Sequence, residues 1–340
     1  MTNDLARHMN IVQRLSLLLF VAFTLFSSGC MLTRPSAVNN APIVFQTPPD
    51  LNQVVSAINA NSDRVRQLNS ENVRLSIPGQ LGALRSTIDF DRMAGPNSPG
   101  RFRLSGDALG SRQLDLGSND NEYWMWVKQN KPPTVFWGRH SQFYQSAAQQ
   151  FLPMPPSWLI DALGVVHLDP SQNHQGPFQG ASPGLLQLRT TMPTPRGNLL
   201  RILEVDEKRA LIVQQQIYGP QGELLASADS SNFQLDPMSS ATLPHTIKVK
   251  LPPAGLSFDF EVNSYTINQP TSDPETLWKL PQIPEHRYLD LANPNDMRGI
   301  TLLGSTSPDF YDRQQVVAQP PSVTQPRMTW RERFGLRTLR

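Results

Sequence analysis

The chain has 340 residues and carries 30 Lys and Arg against 28 Asp and Glu, a formal net charge of +2. So balanced a charge gives no electrostatic pull toward nucleic acid, and a hydrophobic content of 39% is too high for a chain disordered throughout. Its 31 prolines exclude a mainly helical protein and favour short strands with irregular joins.

At the N-terminus Arg7 and Arg14 precede an apolar run over residues 15–26. Spanning a bilayer takes roughly 20 apolar residues, so this shorter run suits the core of a secretory signal. It ends in Ser27-Ser28-Gly29-Cys30, where small residues admit a peptidase and the next residue offers a thiol. The segment resembles a bacterial lipobox, with Ser27 where leucine is commonest. The resemblance implies cleavage before Cys30, lipidation of Cys30 and attachment to the membrane by acyl chains rather than by a spanning helix. Met31 stands where aspartate would retain a lipoprotein of Gram-negative bacteria at the inner membrane, which by the same resemblance implies the periplasmic face of the outer membrane. Cys30 is the only cysteine of the chain, so the folded part has no disulfide, cysteine nucleophile or thiolate metal cluster.

Residues 1–29 are thus read as signal and residues 30–49, rich in Pro, Ser and Asn, as a lipidated tether. Asp50 is an N-cap for a helix running to about Asn69, with Leu51, Val54, Val55, Ile58, Val65 and Leu68 as its apolar stripe. From Val73 the period becomes two: Leu84, Ser86, Ile88 and Phe90 alternate with Arg85, Thr87, Asp89 and Asp91, and Phe102 and Leu104 alternate with arginines. Residues 123–127 are apolar on both faces and so require cover on both. Short turn signals between these runs imply antiparallel hairpins.

Residues 141–150 and 157–164 read as two short helices that interrupt the meander, the second with Ser157 and Gly164 at its ends. Residues 167–184 read as a loop. Strands resume at 185–189, 199–205, 210–218, 223–233, 245–251 and 256–267. The expected fold is mainly β (α+β), one antiparallel sheet of about 11–12 strands that must curl to hide its apolar face. The domain spans residues 50–293, and residues 294–340 form a Pro/Gln-rich linker and a basic tail, largely disordered.

The phrases at 81–91, 99–104, 115–120 and 123–126, behind an N-terminal helix, resemble the LolA/LolB lipoprotein-carrier superfamily over about residues 51–280. The resemblance implies a strongly curved antiparallel half-barrel whose concave face is lidded by helices, at 142–164 in this chain. The lipid anchor makes LolB, the outer-membrane acceptor, the nearer analogue. No residue here is matched to LolB's membrane-inserting loop.

A carrier of that kind needs an apolar concavity for acyl chains or lipoprotein cargo, and no catalyst or cofactor. The residues expected to line it are Ile88, Phe90, Phe102, Leu104, Trp124, Trp126, Phe136, Phe258 and Phe260 from the strands, with Trp158, Leu159 and Leu163 from the lid. The same residues packed into a filled core give the alternative, a non-enzymatic envelope scaffold that uses the fold for protein–protein contacts. Enzyme readings are weaker. Gly180-Ala181-Ser182-Pro183-Gly184 matches Gly-x-Ser-x-Gly, but Pro183 lacks the N–H that the oxyanion hole needs. His167, Asp169 and His174 have no metal-ligand spacing, and Asp115, Asp120 and Glu122 beside a turn are expected to cap amides or meet solvent. The tail at 327–340, five arginines interleaved with Trp330, Phe334 and Leu339, suits anionic headgroups or an acidic partner, or is a soluble tail.

Overall fold

Asp50 begins helix α1, Leu51–Asp63: its Oδ1 accepts from the Gln53 amide (2.9 Å) and Gln53 Oε1 accepts from the Asp50 amide (2.8 Å). This reciprocal capping box satisfies two N–H groups that the first turn leaves without helical partners. The computed structural model describes residues 41–78, 82–92, 100–146, 148–269, 274–293 and 295–296. The signal, Cys30 and the basic tail lie outside them.

Helix α1 is shorter than the apolar spacing predicts. It stops at Asp63, and Leu68 belongs to strand β1, Gln67–Ser76. Val65 and Leu68 are buried as expected, but as part of the sheet core. A three-residue apolar spacing is the same whether a helix continues or the chain turns into a strand. Val54, Val55 and Ile58 pack on Val166, Leu168, Leu188 and Leu203. Two side-chain amides then fix the helix. Asn59 donates to Leu168 O (2.8 Å) and accepts from Leu168 N (2.7 Å), and Asn61 treats Thr242 in the same way (2.9 and 2.8 Å).

A first meander comprises β1, β2 (Leu84–Asp91), β3 (Arg101–Ala108), β4 (Ser111–Ser118), β5 (Glu122–Val127) and β6 (Thr134–Arg139). A lid segment follows: a 3-10 turn at His140–Gln145, α2 (Ala148–Phe151) and α3 (Trp158–Ala162). A second meander comprises β7 (His174–Gln179), β8 (Leu185–Thr194), β9 (Gly197–Asp206), β10 (Ile212–Tyr218), β11 (Leu224–Leu235), β12 (Thr242–Leu251) and β13 (Leu256–Val262). Strand β13 pairs antiparallel with β1 and so joins the two meanders. The two-residue β14 (Thr266–Ile267) also pairs with β1. After helix α4 (Pro274–Leu277), β15 (Arg287–Asp290) pairs parallel with β6.

The result is an open, curved sheet of 15 strands ending in β15 and β7, the half-barrel expected from the sequence. Of the extra strands, β7 comes from the stretch read as loop, β14 is split from the strand read at 256–267, and β15 lies in a stretch given no element. β7 is an edge strand holding Pro177, and an edge tolerates the missing N–H that made the stretch look irregular.

Residues paired across strands share a face. Phe90 pairs with Leu68 and Phe102; Ile88 pairs with Leu104, which continues through Leu116 and Met125 to Phe136. On the other side Leu75 pairs with Phe260, and Phe260 with Ile247. This inner face is covered by Phe143, Leu152, Met154, Trp158, Leu159, Ile160, Leu163 and Val165 of the lid segment. The lid helices are shorter than predicted. Ser157 makes no side-chain cap bond, whereas Gly164 does leave α3 in the left-handed region, at φ +88°.

The outer face of β3–β5 is covered as well, as the apolar run at 123–127 requires. Trp278 is buried there, Asn119 donates to Trp278 O (3.0 Å) and Arg103 donates to Leu277 O (2.9 Å). Asp115 is neither a cap nor solvated. It is 3% exposed and receives Arg103 (2.7 Å), Arg112 (3.3 Å) and the Trp124 indole N–H (2.9 Å). The Trp124 ring lies where a Cβ on Gly117 would be, so that position admits only glycine without displacement.

Replacing Asp115 with Ala leaves the buried Arg103 without its carboxylate and should cost about 3–5 kcal/mol. Gly117→Ala should cost about 1–3 kcal/mol by overpacking. Urea unfolding measures both, and unchanged midpoints would show that this outer clamp contributes nothing. A pH dependence follows from two histidines. His245, whose Nδ1 meets Val262 O at 2.7 Å, and His140, whose Nε2 meets Asn119 O at 2.9 Å, are both held below the usual 6.5, chiefly by burial. A depressed folded value means that their contribution is present above 6.5 and lost as the pH falls through the folded value. The melting temperature should therefore drop between pH ~7.5 and ~5.5, and His245→Gln should flatten that drop. An equal drop in the variant would remove His245 from the account.

Candidate functional site

Most of the concave face is filled. Where the lid meets β2 on one side and β8–β10 on the other, a cavity of about 420 Å³ remains, within the range of small-molecule sites. Its apolar wall is Phe90, Tyr144, Met154, Trp158, Ile160, Val165, Met192 and Ile217. Arg92, Arg201, Asp63, Asp161 and His167 are its charged lining.

The charged wall spans three parts of the fold. Arg201 stands on the inner face of β9 because it pairs with Ile217 and Thr190 on the neighbouring strands. Its Nη2 donates to Asp161 Oδ2 of α3 (3.0 Å) and to Gln215 Oε1 of β10 (3.2 Å). This pair ties the lid to the sheet. Burial pushes the Asp161 carboxyl up, against the opposing fields of Arg201 and Arg92. Arg92, just past β2, donates to Ser62 Oγ (2.9 Å) and lies 3.6 Å from Asp63 Oδ1, which is itself 3.4 Å from His167 Nδ1. Asp63 and His167 are exposed at the mouth, whereas only 8% of the Arg201 side chain is exposed.

The structure divides the twelve residues expected to line a concavity. Phe90 and Trp158 line the cavity. Ile88, Phe102, Leu104, Phe136, Leu159, Leu163 and Phe260 are buried in the core between sheet and lid, and Phe258 packs on that core half-buried. Trp124 and Trp126 stand on the opposite face, registered with Gly117 and Asp115, where Trp124 binds Asp115 and Trp126 meets His286 at 5.8 Å between rings. The reason is parity. In β5 the inner residues are Tyr123, Met125 and Val127, and a strand apolar on both faces does not show which set is inward.

Sequence reasoning missed the charged wall, because Arg92, Asp161 and Arg201 are far apart in the chain and each looks like an ordinary surface charge. It also missed Leu109. In the β3–β4 hairpin Ala108 pairs with Ser111, so Leu109-Gly110 is a two-residue turn with φ of +50° and +73°. Such turns favour Asn-Gly; here a leucine takes the left-handed position with its side chain wholly in solvent. The Leu-Gly pair between two clear strands was the available signal.

The remaining candidates are structural. His174 is bonded to Thr190 Oγ1 and Asp169 O, both at 2.8 Å. Asp120 pairs with Arg101 at 2.6 Å. Among the described residues no group of three His, Cys, Asp or Glu is placed to hold a metal, and no helix is long and apolar enough to cross a membrane.

No family model matches the sequence, and no curated protein matches it. Solved structures do. A DUF1329 family protein from Desulfovibrio piger matches with a TM-score of 0.46 at 12% identity, over 68% of this chain and 98% of that one. A Vibrio parahaemolyticus domain described as an outer membrane lipoprotein-sorting protein matches with 0.46 at 8%, over 68% and 100%. The LolA superfamily protein NE2245 from Nitrosomonas europaea matches with 0.40 at 12%, over 66% and 97%. The neighbours thus include the superfamily that the sequence resembles. They are likenesses of fold with TM-scores below 0.5, and the functional reading rests on the cavity itself.

Proposed function

We propose that this chain is a non-enzymatic protein of the bacterial envelope, lipidated at Cys30 and anchored at the periplasmic face of the outer membrane, that takes an acyl chain of a lipid or lipoprotein into the cavity beneath its lid. The observation that supports this reading is the cavity of about 420 Å³ between the sheet and the lid, with Phe90, Met154, Trp158, Ile160, Met192 and Ile217 along one side. Each methylene that leaves water for such a wall contributes about 0.8 kcal/mol. The lid residues around it come from a single helical turn, Trp158–Ala162, and the chain on either side of it, so a longer chain enters by displacing lid side chains from the inner face.

Leu109 supports a membrane location. A leucine held in a left-handed turn at a hairpin tip gains nothing from the fold, and backbone strain of that kind is often kept where a residue acts on something outside it. An acyl interface would bury it. The filled remainder of the concave face supports a second reading, an envelope scaffold whose lid stays shut and whose surfaces bind protein.

Two measurements separate these readings. Native mass spectrometry with lipid extraction, on a soluble form beginning at Leu32 and exported to a bacterial periplasm, should find bound phospholipid or acylated peptide. Trp158→Ala with Leu159→Ala should weaken its retention. A monodisperse, lipid-free protein would favour the scaffold. Co-sedimentation of the same form with phospholipid vesicles should fall several-fold for Leu109→Asp, in line with the transfer energy of one leucine side chain. Equal sedimentation of the variant would take Leu109 out of membrane contact.

A further inference from the structure

The acyl-binding reading needs only the apolar lining of the cavity, yet two arginines line the same cavity, one of them deep in the protein. Arg201 has five N–H donors in a fixed fork, and its bonds to Asp161 and Gln215 both run from Nη2. Its Nε is buried without a protein acceptor. So is the indole Nε1 of Trp158, a lining residue of the same cavity. A buried donor with no acceptor is costly, and such groups in a native fold call for an explanation. Two of them on residues that line one cavity describe a place short of acceptor oxygen.

The charges agree. Asp161 meets Arg201 through a single contact rather than a two-pronged one. Asp63 stands mostly in solvent and lies 3.6 Å from Arg92, so water screens much of its field. Arg92 and Arg201 are therefore incompletely neutralised by the carboxylates beside them. Apolar side chains stand directly beside these charges, with Trp158 and Ile160 on the same short helix as Asp161 and Ile217 paired with Arg201.

We propose that the charged end of the cavity is a subsite for the oxyanion headgroup of a single-chain amphiphile, whose oxygens are received by Arg201, Arg92 and the Trp158 indole N–H while its hydrocarbon lies along Phe90, Met192 and Ile217. This rests on the acyl-binding reading and names the class of ligand: a chain ending in a carboxylate or a phosphodiester. Both orphan nitrogens are shut off from solvent with the lid closed, so the headgroup reaches them as the turn carrying Trp158 shifts. The Asp161–Arg201 pair is then the contact that the oxyanion replaces, and the ligand and the lid compete for one guanidinium.

The test is calorimetric titration of the full chain, held in a fluorinated surfactant that mixes poorly with hydrocarbon, with three probes of equal chain length: dodecanoate, lauroyl-lysophosphatidylglycerol and dodecanol. At least one anionic probe should bind about tenfold or more tightly than dodecanol, as a charge-assisted bond predicts. Preference for dodecanoate would identify a free fatty acid as the source, and preference for the lysolipid a phospholipid headgroup. Asp161→Asn, which removes the competing carboxylate, should widen the gap. Arg201→Gln combined with Asp161→Asn leaves no unpaired charge behind and should close the gap between the anionic probes and dodecanol; circular dichroism verifies its folding, and Arg92→Gln, which should narrow the gap, is the substitute should it unfold. Equal binding of all three probes, or a gap that survives the double variant, would overturn the oxyanion subsite and leave the acyl reading standing. Absence of binding by every probe would overturn both.

Discussion

An open sheet of 15 strands has an apolar face too large to leave in water, and that face governs the rest of this structure. Closing the sheet into a barrel would hide it, but β15 and β7 remain as separate edges. The chain instead hides the face with its own residues, by inserting the lid segment between β6 and β7. The aromatic and aliphatic side chains of that segment reach strands from both meanders, so one insertion joins halves of the sheet whose strands pair at β1 and β13.

Covering a curved sheet with short helices leaves an imperfect fit. A long regular helix presents one straight stripe, whereas α2 and α3 are each about one turn, joined by proline-rich chain. They follow the curvature but leave a gap where the lid passes from β2 to β8–β10. The gap is where charge enters the interior. Arg201 occupies an inward position that an apolar residue would fill more cheaply, since a buried ion pair contributes little net stability. Its bond to Asp161 sets where the lid sits. The lid is thus held by a directional charged contact as well as by the burial of Leu159 and Leu163.

The two faces of the sheet are organised by different forces. Inside, Ile88, Phe102, Leu104 and Phe136 are held by hydrocarbon packing with the lid. Outside, Asp115 gathers Arg103, Arg112 and the Trp124 indole, and the chain after β14 lies over them. The outer face is thus fixed by directional bonds and the inner one mainly by shape.

Much of this architecture was legible in the amino-acid order. Alternation along 84–91 and 101–104, the double-sided run at 123–127 and the interruption at 141–164 specified an antiparallel sheet that must curl and the segment that breaks it. That this segment lids the concave face was implied by the family resemblance. Strand period and helix breaks were legible because they are local properties of the chain. The Asp50 cap was legible for the same reason. Three things were not. The end of α1 was hidden because Val65 and Leu68 suit a helix stripe and a strand face equally. The inward set of β5 was hidden because Trp124 and Trp126 are as apolar as Tyr123 and Met125, and only the register with β4 and β6 selects between them. The charged wall was hidden because Arg92, Asp161 and Arg201 meet only after the sheet has curved and the lid has folded into it. The sequence by itself determined most of the strands, that their sheet must bend, and where the meander is interrupted. Tertiary structure alone decided how much of the concavity the cover fills and which charges are left facing the remaining space, since both depend on distances between residues that the chain order holds far apart.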